Sequence, residues 1–379
     1  MTGVYTYLAA DLATGNVAAE LPLTGVSFSR VLNDAGTFSG SLQLGDPRVA
    51  ALKAVRATEP ARSTILVCRD GVIVGEYIIW TTTYDSASQV LQIAGADLLS
   101  YFDHRKILPV LPPVLDIQTV ARQQLAFSAA DQLAIARSLV TTAQAHTGGS
   151  IGITVDATVA STTLRDITYN GYELKNVGDG LRDLSTLAGG PDLYFDTVYI
   201  NGTATRRLVL GNPRLGVVDP GNLVFEYGTN LTKFTEPRDG SQMITRAFAV
   251  GDGSDADTPI GIAEDATRYT DGWRLTEDST SYSGAITPAD LTGHAVADQA
   301  ARRGPVVLPA LTVLGAGPPA VGEYLPGDAI RRVIPRGADP YHPGGDDRTL
   351  RLVSFEVTPL GDDDLETANL TVSNVLEAA

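Results

Sequence analysis

Four histidines are the side chains in this sequence best suited to bind a metal ion or to act as a general base. They are His104, His146, His294 and His342, scattered over three regions of the chain. None has a partner at the spacing that metal sites require. His146 falls in the last turn of a predicted helix, where an imidazolium interacts favourably with the carbonyl end. His104 is interpreted as a polar residue at the boundary of a folded region.

Cys68 is the single cysteine of the chain and lies in the apolar run 64–68 (TILVC). A thiol in such a run is far more often a small buried hydrophobe than a nucleophile. One cysteine excludes an intramolecular disulfide and a cysteine-based metal site.

The usual catalytic and nucleotide-binding motifs are absent from the sequence. There is no Gly-x-Ser-x-Gly elbow, no Gly-Lys-Ser/Thr phosphate loop and no His-Glu-x-x-His zinc helix. Residues 315–319 (GAGPP) place glycines after a predicted strand, but prolines follow where a phosphate-binding helix would begin. The sequence therefore predicts no catalytic, cofactor-binding or metal-binding residues, no cofactor and no enzymatic activity.

Three acidic segments carry carboxylates that could bind calcium or transfer protons. Residues 252–257 (DGSDAD) have the composition of a calcium loop, but their oxygen ligands are out of register with an EF-hand. Residues 344–347 (GGDD) and 361–364 (GDDD) lie between predicted strands, where glycine and aspartate favour solvated turns. General acid or base catalysis is the weaker interpretation of all three segments.

The composition is that of a folded protein with an acidic surface. The chain has 379 residues, 44% of them hydrophobic and 19% charged, and a formal charge of -16. That charge argues against tight nucleic-acid binding, which depends on clustered Lys and Arg. No apolar run approaches the length of a membrane-spanning helix, and the first four residues lack the start of a signal peptide. We expect synthesis in the host cytoplasm.

The first hundred residues alternate between strand patterns and turns. Strands are predicted over 4–8, 25–32, 37–44, 63–69, 72–83 and 90–94, with a short helix near 49–55. Asn33 to Gly36 and the pair Asp70 and Gly71 supply turn chemistry for two hairpins. The segment predicts a small antiparallel barrel or sandwich.

Helical periodicity appears first after the proline-rich connection at 108–115. One helix is predicted to open at Ser128 to Asp131 and to run to Gly148, and another covers about 177–188. Strands are predicted over 193–200, 207–210, 223–227, 231–235 and 243–250. A last helix, about 289–303, precedes strands over 306–313, 329–334, 350–359 and 366–375.

The predicted fold class is mainly β with an α+β insert, namely two barrel-like antiparallel domains and a small helix-on-sheet domain. The first barrel covers 1–107, with 218–240 as a candidate completion of it, and the insert covers 108–217. The second barrel covers 218–379 and carries a helical insertion near 285–304. The 379 residues exceed what one core usually supports.

Several runs, in this order, resemble the hub proteins of phage tail tips, in particular minor tail proteins of long-tailed phages of high-GC Gram-positive bacteria. They are residues 28–40 (FSRVLNDAGTFSG), 131–139 (DQLAIARSL), 148–153 (GGSIGI), 172–177 (YELKNV) and 325–328 (LPGD). The resemblance implies a virion protein that forms a homotrimeric ring, with two barrels per chain matching a sixfold tail tube to a threefold tip. It also implies as partners a distal tail or tail-tube protein, the C-terminus of the tape-measure protein and central fibre or tip proteins. An acidic channel would let DNA slide through during genome delivery.

Two alternatives stay open at this stage. Trp80, Trp273 and the tyrosines would permit a receptor- or carbohydrate-binding tail protein, although they are not clustered and core burial is the expected fate of Trp80. A glycosidase-type enzyme would need two carboxyl groups about 5 to 10 Å apart in a deep pocket.

Overall fold

The computed structural model of the chain describes residues 3–111, 117–187, 189–282, 288–304, 309–359 and 365–374. These residues form two compact units, Met1–Phe234 with Ala310–Ala379 and Thr235–Pro309. The boundaries predicted after residues 107 and 217 both fall inside the first unit, and they stay a prediction. In the ranges described, no helix combines the length and the apolar character needed to span a membrane.

The secondary structure is mainly β, as the sequence predicts. The chain begins with β1 (Tyr5–Asp11), β2 (Val17–Glu20), β3 (Thr24–Val31), β4 (Thr37–Gln43), α1 (Pro47–Ala51), α2 (Ala54–Ala57), β5 (Ser63–Arg69), β6 (Val72–Asp85), β7 (Val90–Asp97) and α3 (Leu99–Phe102). It continues with α4 (Ile117–Arg122), β8 (Gln124–Asp131), α5 (Gln132–Ala145), β9 (Ile153–Val155), β10 (Leu164–Asn170), α6 (Val177–Thr186), β11 (Leu193–Ile200), β12 (Thr203–Leu210), β13 (Val224–Glu226) and β14 (Leu231–Thr235). The remaining elements are β15 (Arg246–Val250), β16 (Ile260–Glu264), α7 (Thr267–Thr270), β17 (Glu277–Ser281), α8 (Pro288–Ala301), β18 (Ala310–Leu314), β19 (Ala329–Ile334), β20 (Asp346–Thr358) and β21 (Thr367–Asn374).

Two hairpins form where the turn residues predict them. Asp70 and Gly71, with φ of 50° and 81°, make the two-residue turn between β5 and β6. Positive φ at both central residues gives the turn the twist of the strands it joins. Asn33, with φ of 63°, begins the connection between the paired strands β3 and β4. Both hairpin predictions are confirmed.

Strands from both ends of the sequence share one sheet of 13 strands in the first unit. Its main order is β14-β18-β21-β20-β3-β4-β7-β6-β5-β1-β2, and β19 pairs with both β20 and β13. The junction is β3, which pairs with β4 on one side and β20 on the other. Phe28 of β3, Tyr77 of β6 and Phe355 of β20 lie in the same hydrophobic core. The beginning and the end of the chain are therefore stabilised together.

Helices α5 and α6 lie in a second core of the same unit. Leu139 and Leu181 pack there with Phe102, which follows the first strands. The prediction that Ser128 to Asp131 open α5 was wrong in part, because these residues belong to β8, which pairs with β10. Helix α5 begins at Gln132, and the Asp131 side chain accepts a hydrogen bond from the Leu133 amide as its N-cap.

The second unit is a three-stranded sheet with one face covered by α8. Strand β15 lies between β16, which is antiparallel to it, and β17, which is parallel. Leu291 and Ala295 of α8 pack on Ala247 and Ala249 of β15. The predicted helix near 289–303 is confirmed, whereas β16 and β17 were not predicted.

Candidate functional site

The four histidines lie apart, each against aromatic or backbone groups. The His104 ring lies tilted against Trp80 with ring centroids 4.4 Å apart, and His294 stacks on Tyr282 at 4.2 Å. The His342 ring lies 5.8 Å from the Phe234 ring. Within the part of the chain that the structure describes, no three His, Cys, Asp or Glu side chains form a group that could hold a metal ion.

His146 follows α5 directly, at the position expected from the sequence. Its ring nitrogens lie 3.1 Å from the Thr142 carbonyl oxygen, one turn earlier, and 3.2 Å from the Pro109 carbonyl oxygen. The imidazole therefore lies between a carbonyl oxygen of the last turn of α5 and the Pro109 carbonyl oxygen.

Cys68 is buried in β5 among apolar side chains. It shares a small cluster with Ala10, Leu66 and Ile73. Burial raises the pKa of the thiol, because a thiolate is costly in apolar surroundings. Such a thiol is a poor nucleophile at neutral pH.

The acidic segments differ from one another in the structure. Residues 252–257 are all exposed and contain the single-turn 3₁₀ helix Asp255–Asp257. The interpretation of Asp346 and Asp347 as solvated turn residues was wrong, because both begin β20 and pair with Arg332 and Arg331 of β19. The third segment, 361–364, lies outside the described residues.

The Trp80 side chain, on β6, has a hydrogen-bond partner within the fold. Its indole nitrogen donates to the Ser100 hydroxyl at 2.8 Å, and the side chain is half-buried against the second core. Trp273 is 38% exposed and lies under the Arg268 guanidinium at 4.9 Å.

The most concentrated chemistry of the first unit is a buried ion-pair cluster. Arg206 of β12 donates from Nε to both Glu76 oxygens at 3.0 Å and from Nη2 at 2.6 Å. Thr64 and Thr197 donate to the same carboxylate at 2.8 Å and 2.7 Å. Both charged residues are 5% exposed. The pair joins β12 to β6, and both oxygens of the Glu76 carboxylate accept hydrogen bonds.

A second ion pair adjoins this cluster. Arg30 of β3 donates to Asp196 of β11 at 3.3 Å, and Arg207 donates to the other oxygen of Asp196 at 3.0 Å. The Arg30 guanidinium also lies over the Tyr194 ring, 5.2 Å from its centroid. Strand β11 is thereby tied to the central strand β3.

Asp97, at the end of β7, is half-buried beside these ion pairs. Its carboxylate accepts from the Gly36 amide at 2.8 Å and from the Leu99 amide at 3.0 Å. Burial raises the pKa of Asp97 to about 7, and these two backbone hydrogen bonds and Arg30 oppose the increase.

The size of the cavity between these charged side chains limits what could bind there. Arg30, Glu76, Asp97 and Asp196 line a cavity of about 10 Å³, which holds one water molecule at most. A glycosidase needs room for a sugar between its two carboxyl groups. This cavity has no room for a sugar, and the ion pairs around it connect strands that are distant in the sequence.

The loop 33–36 anchors the helical stretch, a role that the sequence interpretation missed. The Asn33 side chain accepts from the Leu193 amide at 2.7 Å, and the Asp34 carboxylate accepts from Arg182 of α6 at 2.7 Å. A Cβ on Gly36 would lie 2.0 Å from the Ser29 carbonyl oxygen. The loop was interpreted only as a hairpin turn, although its polar residues signalled further bonds.

Glu366 forms a further long-range ion pair of the first unit. Its carboxylate is fully buried and accepts from Arg69 and from the Tyr5 hydroxyl at 2.7 Å. Burial, together with this hydrogen bond to Glu366, raises the pKa of Tyr5. The contact joins the first strand to the residue preceding β21.

Comparison with known proteins gives matches in structure only. No family model matches the sequence, and no curated protein matches it. A tail protein from Neisseria meningitidis is 15% identical with a TM-score of 0.59, and each chain covers 97% of the other. The 43 kDa tail protein of a Shewanella oneidensis prophage is 12% identical with a TM-score of 0.63 and 98% coverage both ways.

A prophage tail protein from Listeria monocytogenes is 13% identical with a TM-score of 0.51 over 98% of this chain and 95% of its own. All three likenesses extend over nearly the whole of both chains, so they concern the complete architecture and not one shared module. The chain has the fold of these tail proteins.

Proposed function

We propose that this chain is the structural hub of a phage tail tip. Three copies form a ring that connects the tail tube to central tip or fibre proteins and lets DNA pass during genome delivery. The observation that carries the proposal is the likeness in fold, over 97% to 98% of this chain, to three phage tail proteins. The source phage is placed among those of high-GC Gram-positive bacteria on the sequence resemblance alone.

The ion pairs of the first unit support this role. Glu76, Asp196 and Glu366 each hold together strands that are distant in the sequence. Buried hydrogen-bonded charges fix one arrangement of strands, since each lost partner leaves a charge buried. A ring component under mechanical load needs such a fixed arrangement.

The proposed organisation keeps the boundaries expected from the sequence. Residues 1–107, with 218–240, and residues 218–379 supply two barrels per chain, and 108–217 is the insert. The partners are the other two copies, a distal tail or tail-tube protein, the tape-measure C-terminus and the central fibre. The hub has no catalytic activity in this proposal.

The formal charge of -16 supports a channel that does not hold DNA. Acidic side chains at the lumen repel phosphates, whereas clustered Lys and Arg would bind them. Mixing the purified ring with linear DNA at low salt should give no shift in electrophoretic mobility. A complex that disappears as salt is added would contradict this part of the proposal.

The ring itself is tested by light scattering coupled to size-exclusion chromatography. The expected mass is three times that of the 39.9 kDa chain. Electron microscopy of intact tails, labelled with an antibody against this chain, should place it at the tip. A monomer at high concentration, or label along the tube, would overturn the proposal.

A further inference from the structure

Two neighbouring cavities flank helix α2 of the first unit. One has a volume of about 260 Å³ and the other about 530 Å³. Lys53 and Arg56 line both cavities, and the two are called here the α2 cleft. The volume of the larger cavity falls in the range typical of binding sites, about 300 to 1,000 Å³.

The cations of the α2 cleft are free to bind a ligand. Lys53 and Arg56 are exposed, and the described residues give neither side chain an ion pair or a hydrogen bond. Arg62 also lines the cleft, 4.0 Å from Asp11, and Glu59 lines its other end. Three cations thus face two carboxylates, in a chain whose formal charge is -16.

The backbone at Lys53 is unusual for a lysine. Its φ and ψ are 51° and 41°, the left-handed conformation, at the break between α1 and α2. Asn or Gly holds this conformation at lower cost. Among the residues that the structure describes, no group pairs with the Lys53 ammonium to offset the difference.

The cleft also has an apolar side and an open sheet edge. Val55 is 61% exposed beside Arg56, and Leu44 and Val49 line the same cavity. Ala18 of β2, which lines the smaller cavity, belongs to the last strand of the 13-stranded sheet. An unpaired edge strand offers backbone groups to an extended chain. Cations, aliphatic side chains and a free edge together suit a peptide segment.

We propose that the α2 cleft binds a segment of a neighbouring tail protein in which carboxylates alternate with aliphatic side chains. The carboxylates face Lys53, Arg56 and Arg62, and the aliphatic side chains contact Val55 and the cavity walls. This inference rests on the proposed function, since it takes the partner to be a tail protein. Charge complementarity of this kind sets the choice of partner and the rate of association.

The test uses isothermal titration calorimetry of the full chain with a short synthetic peptide in which Glu and Leu alternate, since alternate side chains of an extended chain lie on one face. The same peptide with Gln in place of Glu is the control for charge. We expect binding of the Glu peptide only, weakening as ionic strength rises. The double variant Lys53→Asn/Arg56→Gln should lower the affinity by about tenfold. Asn is chosen at position 53 because it tolerates the left-handed backbone.

A matched variant, Lys233→Asn/Arg336→Gln, removes two exposed cations from elsewhere in the first unit and should bind as the wild type does. Val55→Ser should weaken binding while leaving the thermal melting curve unchanged. Equal binding of the two peptides, or undiminished binding by Lys53→Asn/Arg56→Gln, would overturn the inference. A changed oligomeric mass in that variant would also overturn it, because the cleft would then be a contact between copies of the chain. Peptide binding does not require the ring, so a monomer would contradict the proposed function alone.

Discussion

The Arg69 guanidinium donates to both oxygens of the Glu366 carboxylate, at 2.8 Å and 3.0 Å, across 297 residues of sequence. The Glu366 side chain has no solvent exposure and that of Arg69 has 11%. Strand β5 is thereby fastened to the residue that precedes β21. A buried pair of this kind is costly to break from one side only.

Arg69→Met should therefore destabilise the first unit by about 3 to 5 kcal/mol, because it leaves the Glu366 charge buried without its partner. The measurement is the midpoint of urea unfolding, followed by tryptophan fluorescence. Arg48→Met is the matched control, since Arg48 is 87% exposed in its pair with Asp46 and its loss should leave the urea midpoint nearly unchanged. Equal losses in the two variants would contradict the role given to Glu366.

Titration of Asp97 should lower the free energy of unfolding as the pH rises through neutrality. Its pKa is raised to about 7 in the folded chain, so the folded state holds the proton more tightly than the unfolded state. The stabilisation from that proton is complete below the unfolded pKa and is lost as the pH passes about 7. Between about pH 5.5 and 8.5 we expect a loss of about 1 to 2 kcal/mol, since the residue is half-buried.

The measurement for Asp97 is urea unfolding at both pH values, above the sequence pI of 4.6 to avoid precipitation. Asp97→Asn cannot titrate, so the difference between wild type and variant should change with pH. A constant difference would show that the Asp97 pKa is not raised.

Gly36→Ala should destabilise the loop that anchors α6 and β11. The added Cβ would meet the Ser29 carbonyl oxygen at 2.0 Å, and a backbone atom can move away only with its strand. The expected cost is about 1 to 3 kcal/mol in the urea midpoint. Gly344→Ala, at an exposed position with no atom within 4 Å of the new Cβ, should leave the midpoint unchanged.

Cys68 should resist thiol reagents in the native protein. Its burial in β5 and its raised pKa both lower the fraction of accessible thiolate. Iodoacetamide at about pH 8 should label the native chain at least ~100-fold more slowly than the urea-unfolded chain. Because the chain has one cysteine, mass spectrometry reads the result directly. Rapid labelling of the native chain would place Cys68 at the surface.

Local chemistry explains which parts of the fold could be predicted from the sequence. The hairpin at Asp70 and Gly71 and the strand β19 were predicted within a residue or two, since turn residues and alternation act over short distances. Strand β17 (EDSTS) was missed because it has no apolar alternation. It is held by parallel pairing with β15. Such pairing cannot be predicted from the strand's own residues.

The buried ion-pair cluster could not be predicted from the sequence. Glu76 and Arg206 are 130 residues apart, and no local rule joins them. A signal was present, however: Glu76 is the one charged residue in the apolar run 72–79 (VIVGEYII). A charge inside a buried strand requires a buried partner, although the sequence does not say which.

The position of β3 between β4 and β20 bears on synthesis as well as on stability. The Ser27 hydroxyl donates to the Glu356 carboxylate at 2.6 Å across 329 residues, within the pairing of β3 and β20. At about 5 to 20 residues per second, a ribosome needs roughly 15 to 65 s to deliver β20 after β3 has emerged. During that interval one side of β3 lacks its strand and can pair with the same edge of another nascent chain. A chain made in many copies at once therefore has a reason to depend on chaperones while it folds.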